Sequence, residues 1–163
     1  MRPRLFFVFA LMFILSSVLL PSFFITEASQ IYQDTNSYQN YIRGLLFDRL
    51  GEYRQAKDAY LKAIKSDSQA WDIHYRLGLD YLRLNDLKGA EREFKYILRV
   101  RDYEERVRFL LALVYSYRAK YRQAEEEFNR LLEKPLLELD EMDIRISLGH
   151  LNLLGGNLEK AQE

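Results

Sequence analysis

Apolar positions fall into two regimes along this chain. From Leu5 to Leu20 every residue is apolar except Ser16 and Ser17. From Ser37 onward apolar residues instead recur at spacings of three and four between charges, the pattern of helices that bury one face. That second regime repeats itself. A small residue stands at Gly44, Gly78 and Ala112, each 34 positions after the last. An aromatic follows three residues later (Phe47, Tyr81, Tyr115), a second small residue twelve later (Ala56, Ala90, Ala124), and a second aromatic at Tyr60, Phe94 and Phe128. Self-similarity at a period of about 20–50 residues marks a stack of supersecondary units in place of a conventional globule.

The periodicity predicts paired helices over 37–50 and 53–66, 71–84 and 87–100, 104–118 and 121–133, then 141–154 and from 157 onward. Turns within the pairs fall at Leu50-Gly51-Glu52, Leu84-Asn85-Asp86, Ala119-Lys120 and Gly155-Gly156-Asn157. Gly and Asn there suit the left-handed residue that ends a helix. No window shows sustained strand alternation, so the expected class is all-α. The fourth unit is offset, because Gly149 follows Ala112 by 37 residues and not 34. Three extra residues are therefore expected around Pro135 to Asp140, where proline stops a helix. The last helix runs only to Glu163, about one and a half turns at the helical repeat, and its exposed face calls for a further helix or a polar cap. The expectation is a fragment of a longer protein.

The first regime is a different polymer. Arg2 and Arg4 precede the apolar run, Pro21 interrupts it, and Thr26-Glu27-Ala28 offers small residues before Ser29. This is the layout of a secretory signal. An uncleaved anchor competes with it, because Leu5 to Ile25 gives 21 mostly apolar residues, enough to span a bilayer. Either way the positive end stays in the cytoplasm and the rest crosses. The expected organisation is a signal or anchor over 1–28, a polar linker over 29–36, and a solenoid over 37–163 with units 37–70, 71–104, 105–141 and a truncated 142–163. The expected location is the bacterial periplasm or cell envelope.

Composition narrows the chemistry. The 163 residues suffice for one domain with a sizeable core, and 22 Tyr and Phe together argue against disorder. With no Cys there are no disulfides, iron–sulfur clusters or thiolate zinc sites. Basic and acidic residues balance at 24 each and interleave, so nucleic acid is not the expected partner. His74 and His150 lie 76 residues apart without ligand spacing, so no metal is expected. Glu125-Glu126-Glu127 reads as solvated surface. Arg99, Arg101, Arg106 and Arg108 cluster near a turn and read as neutralised by Asp102, Glu104 and Glu105, which leaves an anionic-lipid contact as the weaker alternative there. No phosphate loop, metalloprotease helix or nucleophile elbow is present, so no catalysis, cofactor or small-molecule substrate is expected.

The units resemble the tetratricopeptide repeat family. The residues that carry the likeness are Gly44, Gly51-Glu52-Tyr53, Ala56, Tyr60 and Ala63-Ile64 in the first unit. Asp67 ends the first match; Leu77-Gly78, Tyr81, Asn85-Asp86-Leu87, Ala90, Phe94 and Asp102 carry it in the second, and Leu111-Ala112, Tyr115, Tyr121, Ala124, Phe128 and Pro135 in the third. His74 occupies the place of the family's usual Trp, and Trp71 reads as a packing residue. The resemblance implies a right-handed superhelix of about 3.5 helix pairs that binds other proteins through a concave groove, with no catalysis.

The family's groove is lined mainly by one face of each first helix. Carried over, that face comprises Tyr38, Tyr41, Leu45 and Asp48, then Asp72, Tyr75, Leu79 and Leu82. Arg106, Phe109, Leu113 and Ser116 follow, then Asp143, Ile146, His150 and Leu153. Tyr41, Tyr75 and Phe109 form an aromatic row, with Leu45, Leu79 and Leu113 beside it. The Lys, Asn and Arg with which chaperone-binding members grip a C-terminal carboxylate are absent. The expected function is a non-catalytic scaffold, exported or membrane-anchored, that takes a protein segment with apolar anchors. The alternative is the docking or regulatory part of a larger enzyme or secretion component that continues past Glu163.

Overall fold

The computed structural model describes residues 35–66, 68–101, 104–133 and 136–156. The apolar leader at 1–28, most of the linker and the helix expected from 157 lie outside the described residues. Within them the chain forms α1 over 35–49, α2 Tyr53–Ser66, α3 Trp71–Arg83, α4 Leu87–Val100, α5 Glu105–Tyr117, α6 Tyr121–Leu132 and α7 Glu141–Leu154. There is no strand among the described residues. None of the described helices is long and apolar enough to cross a membrane.

Each hairpin turn is built the same way. The second residue past the first helix takes a left-handed conformation at Gly51 (φ 74°), Asn85 (φ 57°), Ala119 (φ 54°) and Gly156 (φ 77°). At the first three turns two backbone bonds close the helix end. Glu52 N–H donates to the Phe47 carbonyl at 2.9 Å and Gly51 N–H to Asp48 at 3.1 Å. Asp86 and Asn85 donate likewise to Tyr81 and Leu82, and Lys120 and Ala119 to Tyr115 and Ser116. This is the Schellman closure, which satisfies carbonyls that the helix leaves orphaned. Gly and Asn adopt it at little cost, whereas Ala119 does so against its own preference. The partner helix then starts at once, and in α4 Asp86 accepts the Gly89 N–H at 2.9 Å as its cap.

Small residues and rings interlock across each pair. Ala56, Ala90 and Ala124 are fully buried, as are Tyr60, Phe94 and Phe128. A Cβ added at Gly44 would stand 2.4 Å from the Tyr60 ring, and one at Gly78 would stand 2.5 Å from Phe94. The glycines therefore let the ring of the second helix lie on the backbone of the first. In the third unit Ala112 and Phe128 hold the equivalent positions and are both fully buried. Gly89 plays the reciprocal part: its missing Cβ makes room for the Tyr81 ring, 2.5 Å from where that carbon would be. Helices in chain order pack against one another from α2 through α7, so the core is one continuous cluster running along the stack.

The offset before the fourth unit has a structural clasp. The Glu105 carboxylate, buried at the start of α5, accepts the Leu137 N–H at 2.9 Å and the Glu138 N–H at 2.9 Å. Arg106 reinforces the loop through Glu138 at 2.9 Å. Asp140 then caps α7 by accepting the Met142 N–H at 2.8 Å. Glu105→Ala should cost about 1–1.5 kcal/mol, because the freed amides reach water and recover part of the loss. Hydrogen exchange at the Leu137 and Glu138 amides should accelerate selectively, and unchanged protection there would dismiss the clasp.

Candidate functional site

The candidate groove residues occupy equivalent positions on successive first helices. Tyr41, Tyr75 and Phe109 are half-buried, and so are Leu45, Leu79, Leu82 and Leu113, all packed on the core with one side left open. Tyr41 tilts against Tyr60 with ring centroids 6.0 Å apart, and Phe109 meets Phe128 edge-on at 5.7 Å. Tyr41 and Phe109 therefore rest on second-helix aromatics that lock the stack. At the two ends of the row Tyr38, Ile146 and His150 stand exposed, as do Asp143 and Leu153. Arg106 is turned to Glu138, and Ser116 donates to the Ala112 carbonyl one turn back at 3.0 Å. Asp72 is half-buried in the first turn of α3.

Asp48 belongs to a charged junction between the first two units. Arg83 reaches across from α3, with Nη1 2.6 Å from Asp48 and 3.0 Å from Asp80, while Arg76 sits 3.8 Å from Asp48. Asp80 is 0% exposed. Its burial pushes the carboxyl up to about 6, the neighbouring Asp48 charge adds to the rise, and Arg83 opposes it. Burial and the same two carboxylates also raise the Tyr60 hydroxyl. Neither the Tyr60 hydroxyl nor Asp80 Oδ2 has a hydrogen-bond partner among the described residues. Arg83 also lies over the Tyr53 ring at 4.8 Å.

Two further pairs repeat at the unit period. His74 Nδ1 meets Glu93 at 2.7 Å, and Arg108 meets Glu127 at 2.5 Å, both inside the hairpin. Asn40 and Ala59 hold these two positions in the first unit. His74 also stacks on Tyr96 with centroids 4.0 Å apart, so it serves packing between α3 and α4. The reading of Glu125 to Glu127 as solvated surface holds for the exposed Glu126 but is corrected at Glu127, which is held by Arg108 and Arg130. The expected neutralisation of the arginine cluster holds at Glu104, and Asp102 lies outside the described residues. Arg101 does pair with Glu104 at 2.7 Å, but Arg108 takes Glu127, Arg106 takes Glu138, and Glu105 holds the loop. Trp71 packs on the core with Arg101 over its ring at 4.4 Å. Among the described residues no three His, Cys, Asp or Glu side chains are grouped to hold a metal.

Comparison with known proteins gives these features a family. The model of the tetratricopeptide repeat matches residues 41–105 and 109–162. Among solved structures, residues 41 to the end of MamA from Desulfovibrio magneticus RS-1 superpose with a TM-score of 0.70 at 20% identity, covering 83% of this chain and 79% of that one. YrrB, described as a TPR protein with an unusual peptide-binding site, gives 0.69 at 20% identity over 88% and 76%. The first TPR of Spaghetti (RPAP3), bound to the HSP90 peptide SRMEEVD, gives 0.65 at 17% identity over 76% and 95%. Among curated proteins none matches the chain.

Proposed function

Because this chain belongs to the tetratricopeptide repeat family, we propose that it is a protein-interaction scaffold whose first-helix row takes an apolar-anchored segment of a partner. One observation carries the reading: Tyr41, Tyr75 and Phe109 keep an open face at equivalent positions of three successive units, although each rests on the core. A ladder of half-open rings at the unit period matches a segment lying along the stack, and rigid rings supply contact area at low entropy cost. The peptide-bound state of Spaghetti and the peptide-binding site of YrrB support the class of ligand. Catalysis forms no part of the role. Residues 1–28, with two arginines before an apolar run, would export the scaffold or anchor it in the cytoplasmic membrane, which protease accessibility in intact and permeabilised bacteria would test.

Tyr75→Ala should abolish partner capture from cell-envelope extracts, while the variant stays folded with a loss of about 1–2 kcal/mol from its buried half. Tyr117→Ala is the control, since Tyr117 is 77% exposed at the end of α5 and outside the row. Undiminished capture by Tyr75→Ala, or equal loss in both variants, would remove the row from the binding site.

A further inference from the structure

One second helix carries a charge pattern that its counterparts in the stack lack. On α4, Lys88, Arg92, Lys95 and Arg99 follow one another at spacings of four, three and four, and all four are exposed. Such spacings put them on one face. The repeat itself supplies the comparison. The same positions hold Arg54, Asp58, Leu61 and Lys65 on α2, and Arg122, Glu126, Asn129 and Glu133 on α6. The stack therefore tolerates mixed or apolar residues there, whereas like charges at these spacings repel and destabilise a helix. A single-sign stripe on the middle second helix alone points to something outside the chain.

That stripe is one wall of a cavity of about 590 Å³ between α4 and the α5–α6 hairpin. Arg118 and Lys120 stand on the facing wall, and Leu98, Leu111 and Tyr115 contribute its apolar surface. The two carboxylates that reach the cavity are already engaged. Glu91 is held by Arg118 and by Lys120 at 3.0 Å, and Glu127 by Arg108 and Arg130. Within the stripe Arg92 is held by Glu93 at 2.9 Å and donates to the Tyr81 hydroxyl at 3.1 Å, and Lys95 is 4.0 Å from Glu91, while no carboxylate pairs with Lys88 or Arg99 among the described residues. Burial first, and the charge of Arg118 second, lower the Lys120 ammonium below its ordinary value.

We propose that this cleft is a second docking site, distinct from the first-helix row, for an acidic segment of a partner protein. Charge complementarity selects the occupant. The stripe extends about 16 Å along α4, the length of roughly three helical turns or five extended residues. A segment bearing Asp or Glu around one apolar anchor would meet Lys88, Lys95 and Arg99 on the α4 wall and the apolar surface beside them, facing the Glu91-bound pair Arg118 and Lys120. A flat bilayer cannot follow a cleft to Arg118 and Lys120. The chain as a whole is neutral, so it lacks the field that gathers nucleic acid.

The test uses the full chain in a neutral detergent and a fluorescent twelve-residue probe of alternating Glu and Leu-containing turns, with a Gln-for-Glu copy as its uncharged counterpart. Anisotropy should show the acidic probe binding at least about tenfold tighter than the neutral copy at low salt, and weakening towards about 0.15 M salt. Lys95→Glu with Arg99→Glu should weaken the acidic probe by about tenfold or more, with the melting temperature unchanged or raised because the like-charge row is broken. Arg54→Glu with Arg122→Glu makes the same net charge change at equivalent positions outside the cleft, and should weaken it less than about twofold. Equal losses in the two double variants would reduce the effect to net charge and overturn the site. So would tighter binding of a single-stranded oligonucleotide or a soluble short-chain phosphatidylserine of matched charge. Tyr75→Ala should leave this binding intact, which separates failure of the cleft from failure of the first-helix row.

Discussion

Truncation of Phe94 to alanine should cost about 3–5 kcal/mol, the range for removing a fully buried aromatic ring. Phe94 is 0% exposed and its ring lies on the backbone of Gly78. Gly78, on which the ring rests, has no side chain to fill the void. Total stability of a chain this size is about 5–15 kcal/mol, so the loss is a large share. It should also be local, since a stack is held by contacts between neighbours. Trp71 is the single tryptophan and begins α3, in the same unit. In denaturant the Trp71 fluorescence transition of Phe94→Ala should precede the far-ultraviolet circular dichroism transition. Phe128→Ala, in the third unit, should reverse that order. A loss under about 1 kcal/mol, or coincident transitions in both variants, would contradict the interlocking of ring and small residue.

Asp80→Asn should stabilise the protein at neutral pH by about 2 kcal/mol. The folded carboxyl titrates at about 6 against an ordinary value near 3.8. Between those values the native state binds more protons than the unfolded chain, so stability falls as pH rises through the window. Above pH 6 the full penalty is present, on the order of 3 kcal/mol for a two-unit rise. Removing the charge lifts it, at the loss of one bond to Arg83 worth about 1 kcal/mol. Below about pH 4 the advantage should disappear, because the native carboxyl is then protonated in the parent protein too. Urea unfolding of both proteins across this range checks the sign. Parallel stability curves, with no convergence on the acid side, would show that Asp80 is comfortably ionised at its site.

The junction that raises Asp80 also explains why so costly a group is tolerated. Asp80 and Asp48 share Arg83, which ties the first helix of one unit to the first helix of the next. Val114 fills the position equivalent to Asp80 in the third unit and is fully buried, while Leu46 holds it in α1 and is 56% exposed. An Asp in a column that is otherwise Leu and Val is a signal that aligning the units would have exposed.

Where local backbone chemistry or the 34-residue period decides, the chain was legible from its residues. The left-handed turn residues, the seven described helices, the alanine columns and the rings at Tyr60, Phe94 and Phe128 all follow from propensities and spacing that act within one hairpin. Which residues share a first-helix face was legible too, since a helical period assigns faces without knowing the neighbour. The destinations of the charges were not. Whether Glu127 faces water or Arg108, whether Glu105 answers Arg106 or grips the Leu137 amide, and whether Lys88 to Arg99 stand on an open flank or wall a cleft are set by the offset between helices. A carboxylate takes whichever cation or N–H lies within about 3 Å, and that distance is fixed by how glycine and alanine let two backbones approach. Sequence alone thus determined the unit and its repetition, while tertiary packing decided which polar groups met.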